Sequence, residues 1–92
     1  MNFEWDEKKN AVNKKKHKIS FEAAIDVFDD PFRKDYYDES HSIDEARWIT
    51  IGMAGKILYV VYTERDFGNT IRLISARIAT AAEKEEYYNG DG

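Results

Sequence analysis

The chain has no cysteine in its 92 residues. That excludes a disulfide framework and a thiolate metal site, two devices that small domains use to offset a thin core. Long apolar runs are missing too. The longest, Ile57 to Tyr62, falls far short of the ~18 residues that span a bilayer. The N-terminal MNFEWDEKK lacks a basic region followed by an apolar stretch, so no secretory signal is expected. Proline occurs once, at Pro31, and no linker, internal repeat or low-complexity segment interrupts the chain. The expectation is one soluble, cytoplasmic domain over residues 1–92, with about 89–92 (NGDG) as a frayed tail. A chain of this length buries only about 60–70% of the surface it exposes when unfolded, so its stability margin is narrow.

What is present argues for a packed core. Six tyrosines, five phenylalanines and two tryptophans are too many aromatic residues for a disordered segment. The net charge of -4 is unevenly spread. Residues 1–20 hold six lysines against three acids, and residues 21–46 hold two basic groups against nine acids. Residues 47–79 turn basic again, with five basic groups against two acids, and residues 80–92 hold one against four. The overall sign argues weakly against nonspecific nucleic-acid binding. It leaves room for a local cationic site, because exposed charges beyond about 8–10 Å are largely screened.

The local pattern is helix, helix, strands, helix. Asp6 is positioned to cap a first helix through about His17, with Trp5, Val12 and Ile19 as a narrow apolar seam and lysines opposite. Ser20 is the expected cap of a second helix, whose Phe21, Ala24, Ile25 and Phe28 fall at helical spacing until Asp29-Asp30-Pro31 stops it. FRKDYYD reads as an edge strand, EARWITIGM as a better alternating one, and KILYVVYTER as the central strand, with Ala54-Gly55 as the hairpin turn. Asp66-Phe67-Gly68-Asn69 is the next turn and TIRLISARIA the last strand. Thr80 with Glu83 forms the capping box of a short final helix. The expected class is α+β, with two N-terminal helices, an antiparallel sheet of three to four strands, helices on one sheet face, and a short C-terminal helix.

Strict alternation along the last strand puts Arg72, Ile74, Ala76 and Ile78 on one face and Leu73, Ser75 and Arg77 on the other. Thr63 and Arg65 share a face of the preceding strand, and Arg47 starts its own strand. This yields an open sheet face on which Arg47, Arg65 and Arg77 gather near one end, with Arg72 pointing away. The alternative is that each arginine answers a nearby carboxylate, such as Glu64 or Glu83.

FEWDEKKNAVNKKKH with ISFEAAIDVFDDP, then HSIDEARWITIG, VVYTER and RLISARIATAAEKEEY, run nearly end to end in an order and spacing that resemble the BrnT family of bacterial type II toxins. That family belongs to the RelE/ParE-like ribonuclease superfamily, so the resemblance implies a RelE-like fold. It further implies a metal-independent endoribonuclease that cleaves RNA to inhibit translation and growth, with no cofactor. The implied partners are an RNA substrate and a BrnA-like antitoxin with a ribbon-helix-helix DNA-binding region, through which alone the hetero-oligomer would contact operator DNA. The glycine that usually follows the histidine of the first motif is Lys18 here.

Metal-free RNA cleavage uses the 2′-hydroxyl as nucleophile, so it needs a base, cations for the phosphorane oxygens and an acid for the leaving oxygen. Arg47, Arg65 and Arg77 suit the cation role, because guanidinium forks match phosphate geometry. Ser75 and Thr63 are candidate hydrogen-bonding groups for RNA. His17 is the candidate titrating residue, and its alternative is a cap at the first helix's C-terminal end. Lys14 and Lys15 are candidates for following a phosphate backbone, against the plainer reading of a solvated helix face. Trp5, Trp48 and Tyr87 are base-stacking candidates that also fit the core. His41 is expected in an exposed loop, and a metal site from His41, Asp44 and Glu45 is the weaker reading there. A non-catalytic partner-binding domain that aids operon repression is the alternative function.

Overall fold

A computed structural model describes residues 1–90. In chain order the elements are β1 (Asn2–Glu4), α1 (Glu7–His17), α2 (Phe21–Ala24) running on as a 3-10 turn (Ile25–Asp29), β2 (Lys34–Tyr37), β3 (Trp48–Ala54), β4 (Lys56–Arg65), β5 (Thr70–Ile78) and α3 (Ala81–Asn89). The sheet has five strands in the order β1-β5-β4-β3-β2. β1 runs parallel to β5 and the remaining pairs are antiparallel. This corrects the expected antiparallel sheet of three to four strands. β1 is only three residues long, too short to show a period, and pairs with Thr70 to Arg72 at the far end of the chain.

Helices cover both faces, not one. On the first face Phe21, Ala24, Val27 and Phe28 pack on Leu58, Val60, Tyr62, Ile71, Leu73 and Ala76. On the second, α3 lays Tyr87 against Ile51, Ile57 and Ala79, but only at one end of the sheet. The rest of that second face is the open surface on which the arginines sit.

The caps form as the sequence implies. Asp6 accepts from the backbone N–H of Lys8 and Lys9, Ser20 from Ala23, and Thr80 forms a reciprocal box with Glu83. The apolar seam of α1 is a different matter. Trp5 and Ile19 pack against the core, but Val12 is 64% exposed, and the buried residues of α1 are Asn10 and Asn13. Asn13 Nδ2 donates to the Ala76 carbonyl (2.7 Å) and Asn13 Oδ1 accepts from the Ala76 N–H (3.1 Å), so its amide stands in for one rung of a strand on the outer edge of β5. Asn10 Oδ1 accepts from the N–H of Phe21 (2.8 Å), satisfying an orphan donor at the start of α2.

α3 is tied down from below. Asp30 is buried, and its carboxylate accepts from the Tyr87 hydroxyl (2.6 Å), the Met53 N–H (2.8 Å) and the Phe32 N–H (2.9 Å). Burial pushes its pKa up, but those three hydrogen bonds and Arg33 hold the carboxyl below the ordinary value. Burial, then the bond to Asp30, pushes the Tyr87 hydroxyl up to about 12. Two residues of the expected frayed tail, Asn89 and Gly90, are among the described residues. Asn89 closes α3, and Gly90 donates its N–H to the Glu86 carbonyl (2.7 Å); residues 91–92 lie outside the described residues. No helix among the described residues is long and apolar enough to cross a membrane.

Candidate functional site

The register between β4 and β5 contains one irregularity. Tyr62 pairs with Leu73, but Val61 pairs with Ser75, which leaves Ile74 as an extra residue. An inserted residue reverses the alternation beyond it. Leu73 therefore turns into the helix-covered core, while Arg72, Ser75 and Arg77 all join Tyr59, Val61, Thr63 and Arg65 on the open face. The expectation that Arg72 and Arg77 lie on opposite faces is corrected by this bulge.

The arginines do not all converge. Arg65 and Arg72 lie at one end, sharing Glu4 of β1. Arg72 Nη1 is 2.7 Å from Glu4 Oε2, and Arg65 Nε is 3.8 Å from the same oxygen. Arg65 Nη2 also reaches Glu45 Oε2 at 3.2 Å. Arg77 faces Tyr59, six residues back along β4 from Arg65 and so roughly 20 Å away at the strand rise. There its guanidinium lies 3.9 Å from the Tyr59 ring centroid. Its two terminal nitrogens bind the two Glu83 carboxylate oxygens at 2.8 and 2.9 Å. The Glu83 bonds raise the Arg77 pKa, and the same contact holds the Glu83 carboxyl below its ordinary value. The alternative in which carboxylates answer the arginines thus holds for Arg65, Arg72 and Arg77, through Glu4, Glu45 and Glu83.

Arg47 belongs with Arg65. It immediately precedes Trp48, which pairs with Tyr62, so continuing the register sets it beside Thr63. Thr63 is itself buried, and its hydroxyl donates to the Ala46 carbonyl (2.6 Å). That hydroxyl anchors the segment carrying Arg47. The Arg47 guanidinium has no ion pair among the described residues, unlike the other three.

Beside Arg47 lies the loop after β2. Asp38 holds His41, with His41 Nδ1 2.9 Å from Asp38 Oδ2, and Ser40 Oγ donates to Asp38 Oδ1 (3.0 Å). The Asp38 side chain is mostly buried, while the imidazole is 68% exposed, as its loop position implied. Burial pushes the Asp38 carboxyl up, but the bonds from His41 and Ser40 outweigh this and lower it. A cavity of about 310 Å³ opens between His41, Ile43, Asp44, Glu45 and Arg47. Among the described residues no three His, Asp or Glu side chains gather as a metal site.

His17 and Ser75 meet elsewhere, in a groove of about 330 Å³ between α1 and β5, with Lys8, Lys9 and Lys16 around them. Lys14 and Lys15 are exposed and do not line it. Trp5, Trp48 and Tyr87 all pack into the two cores, Trp5 edge-on to Phe21. Sequence reasoning set Arg72 on the other face and did not single out Glu4 or Asp38. Glu4 meets Arg72 only through a parallel pairing 68 residues apart, which no local pattern reveals. Asp38 did leave a signal, since it stands three residues before His41.

A family model described as ribonuclease toxin, BrnT, of type II toxin-antitoxin system matches residues 5–83. No curated protein matches the chain.

Proposed function

The chain belongs to this BrnT family of type II toxin–antitoxin ribonuclease toxins, and we propose that it is a metal-independent endoribonuclease whose RNA site lies at the Arg47–Arg65–Arg72 end of the open sheet face. The observation that carries this reading is the bulge at Ile74, which adds Arg72 to the face already holding Arg65, with Arg47, which has no ion pair among the described residues, alongside. Three guanidiniums at one end match the need to hold a phosphate and stabilise its added charge during attack by the 2′-hydroxyl. Cleavage of cellular RNA then inhibits translation and growth. A BrnA-like ribbon-helix-helix antitoxin neutralises the toxin in a complex with equal numbers of both chains, and operator DNA is contacted through the antitoxin.

The carboxylates on this face favour a second reading, a partner-binding domain that has lost catalysis. Magnitude decides between them. Arg72 and Glu4 are 32% and 42% exposed, and Arg65 is more open still. Exposed pairs of this kind stabilise by about 0–1 kcal/mol, so a phosphate that makes charge-assisted bonds displaces them readily. Mapping RNA ends by primer extension after induced expression tests the proposal. New 5′ ends and growth arrest with the natural chain, both lost in Arg72→Ala, support it. Growth without new ends, from a chain that still binds its antitoxin, favours the second reading.

A further inference from the structure

We propose that His41 is the general base of this reaction, that Asp38 is its positioning residue, and that Arg47 holds the scissile phosphate next to it. The proposal rests on the ribonuclease reading above and adds the group that reading lacks.

A 2′-hydroxyl needs a base with a free lone pair, held within reach of a phosphate. His41 meets the first condition by geometry. The ionised Asp38 carboxylate accepts the Nδ1 proton at 2.9 Å, which fixes the tautomer and leaves the Nε2 lone pair free on an exposed ring. The second condition is met because the dyad and Arg47 form one hydrogen-bonded unit. The Asp38 N–H donates to the Arg47 carbonyl at 2.9 Å. Ser42 Oγ donates to the Asp38 carbonyl at 2.5 Å and accepts from the Arg47 N–H at 2.9 Å. His41 and Arg47 line the same cavity of about 310 Å³. Cavities of this size sit at the small end of ligand pockets, enough for a ribose and its phosphate.

Arg47 is also the arginine of the open face with no carboxylate to displace among the described residues. Asp44 and Glu45 line the same cavity as the imidazole, and Glu39 lies on its own turn. Glu45 Oε2 is engaged by Arg65 Nη2 at 3.2 Å.

In the step proposed, His41 Nε2 takes the 2′-hydroxyl proton as the 2′-oxygen bonds to phosphorus. The bond from phosphorus to the 5′-oxygen breaks, its electron pair stays on that oxygen, and water at the open cavity supplies the proton it takes up. His41 then returns its proton to solvent. The products are a 2′,3′-cyclic phosphate and a 5′-hydroxyl.

The test is steady-state cleavage of a single-stranded RNA oligonucleotide by the full chain. His41→Gln is expected to lower kcat by about 10²–10⁴-fold with KM within about twofold. It should also abolish the fall in rate on the acid side of the pH profile. His41→Ala should regain cleavage when imidazole is added, an outcome that a structural role would not give. Asp38→Asn should lower kcat and move the acid limb while RNA affinity holds. Full kcat and an unchanged acid limb in His41→Gln, with the natural chain active, overturn the proposal and leave the ribonuclease reading standing. Loss of the acid limb in Glu45→Gln instead reassigns the base to Glu45. A natural chain that binds RNA without cleaving it overturns both.

Discussion

The two ends of the open sheet face use the same side chain in opposite ways. At the Arg77 end the guanidinium is stacked on Tyr59, bound by both oxygens of Glu83, and roofed by a helix that Tyr87 and Asp30 hold in place. At the Arg65 end two guanidiniums share single oxygens of exposed carboxylates, and a third has no ion pair among the described residues. An arginine saturated by its own chain is a structural clasp, whereas arginines held loosely beside an open cavity are available to a ligand. The difference lies in how many contacts each guanidinium would have to give up, not in whether it has an acidic neighbour.

The largest expected effect tests the available end. Arg72→Ala should lower RNA cleavage by about 10²–10³-fold, which corresponds to about 2.7–4 kcal/mol of transition-state stabilisation. Its thermal midpoint should barely move, because the pair it breaks is exposed. Cleavage assays beside thermal melts separate the two quantities. Wild-type rates in Arg72→Ala would break the comparison outright.

Next in size is the clasp that seats α3. Tyr87→Phe removes a buried hydrogen bond to a carboxylate and should cost about 1.5–3 kcal/mol. The pH dependence follows from the direction of the Asp30 shift. Its folded pKa lies below the unfolded value, so its stabilisation is present above the unfolded pKa and lost as pH falls through the folded one. Acid melts of the natural chain should therefore show a loss of stability below about pH 4, and the loss should be shallower in Tyr87→Phe. An identical acid profile in the two chains would remove Asp30 from the account.

Arg77→Ala sharpens the contrast directly. It should cost about 1–2 kcal/mol, from the partly exposed ion pair and the cation–π contact together, and leave cleavage within a few-fold of the natural chain. Without the structure the same substitution reads the other way, as a loss of activity at unchanged stability. A dead enzyme with an unshifted melt would restore that reading.

The bulge explains why the sequence could mislead at this point. TIRLISARI alternates plausibly throughout, with no glycine or proline to mark an extra residue, so Arg72 is assigned to the wrong face by a sound rule. The limits of β4 and the three caps were legible because each depends on residues a few positions apart. The seating of α1 was not, since two buried asparagines do the work expected of an apolar seam. At the candidate site, arginine chemistry put forward Arg47, Arg65 and Arg77, of which the register sets Arg47 and Arg65 together and Arg77 apart. The carboxylate that joins Arg65 to Arg72 comes from a three-residue strand that local patterns cannot detect.

The smallest effect calibrates both ends from outside them. Lys18 ends α1 at φ 64°, in the left-handed region, where its N–H still closes onto the Lys14 carbonyl. A side chain there is strained by about 1–2 kcal/mol, and glycine relieves that strain while losing about 0.4–1 kcal/mol through its freer unfolded chain. Lys18→Gly should therefore gain roughly 0.5–1 kcal/mol and raise the thermal midpoint by about 3–6 °C in a domain of this size. Cleavage per folded molecule should not change, because the turn sits beside Ala76, which Asn13 links to Ile19, and not at the Arg47–Arg65–Arg72 end. If the stabilised variant instead cleaved faster in proportion to its melt, activity would be following the folded fraction. The losses in Arg72→Ala and Arg77→Ala would then have to be corrected for stability before the two ends are compared. An unchanged rate at a higher midpoint separates stability from chemistry, and the arginine variants can then be compared on that basis.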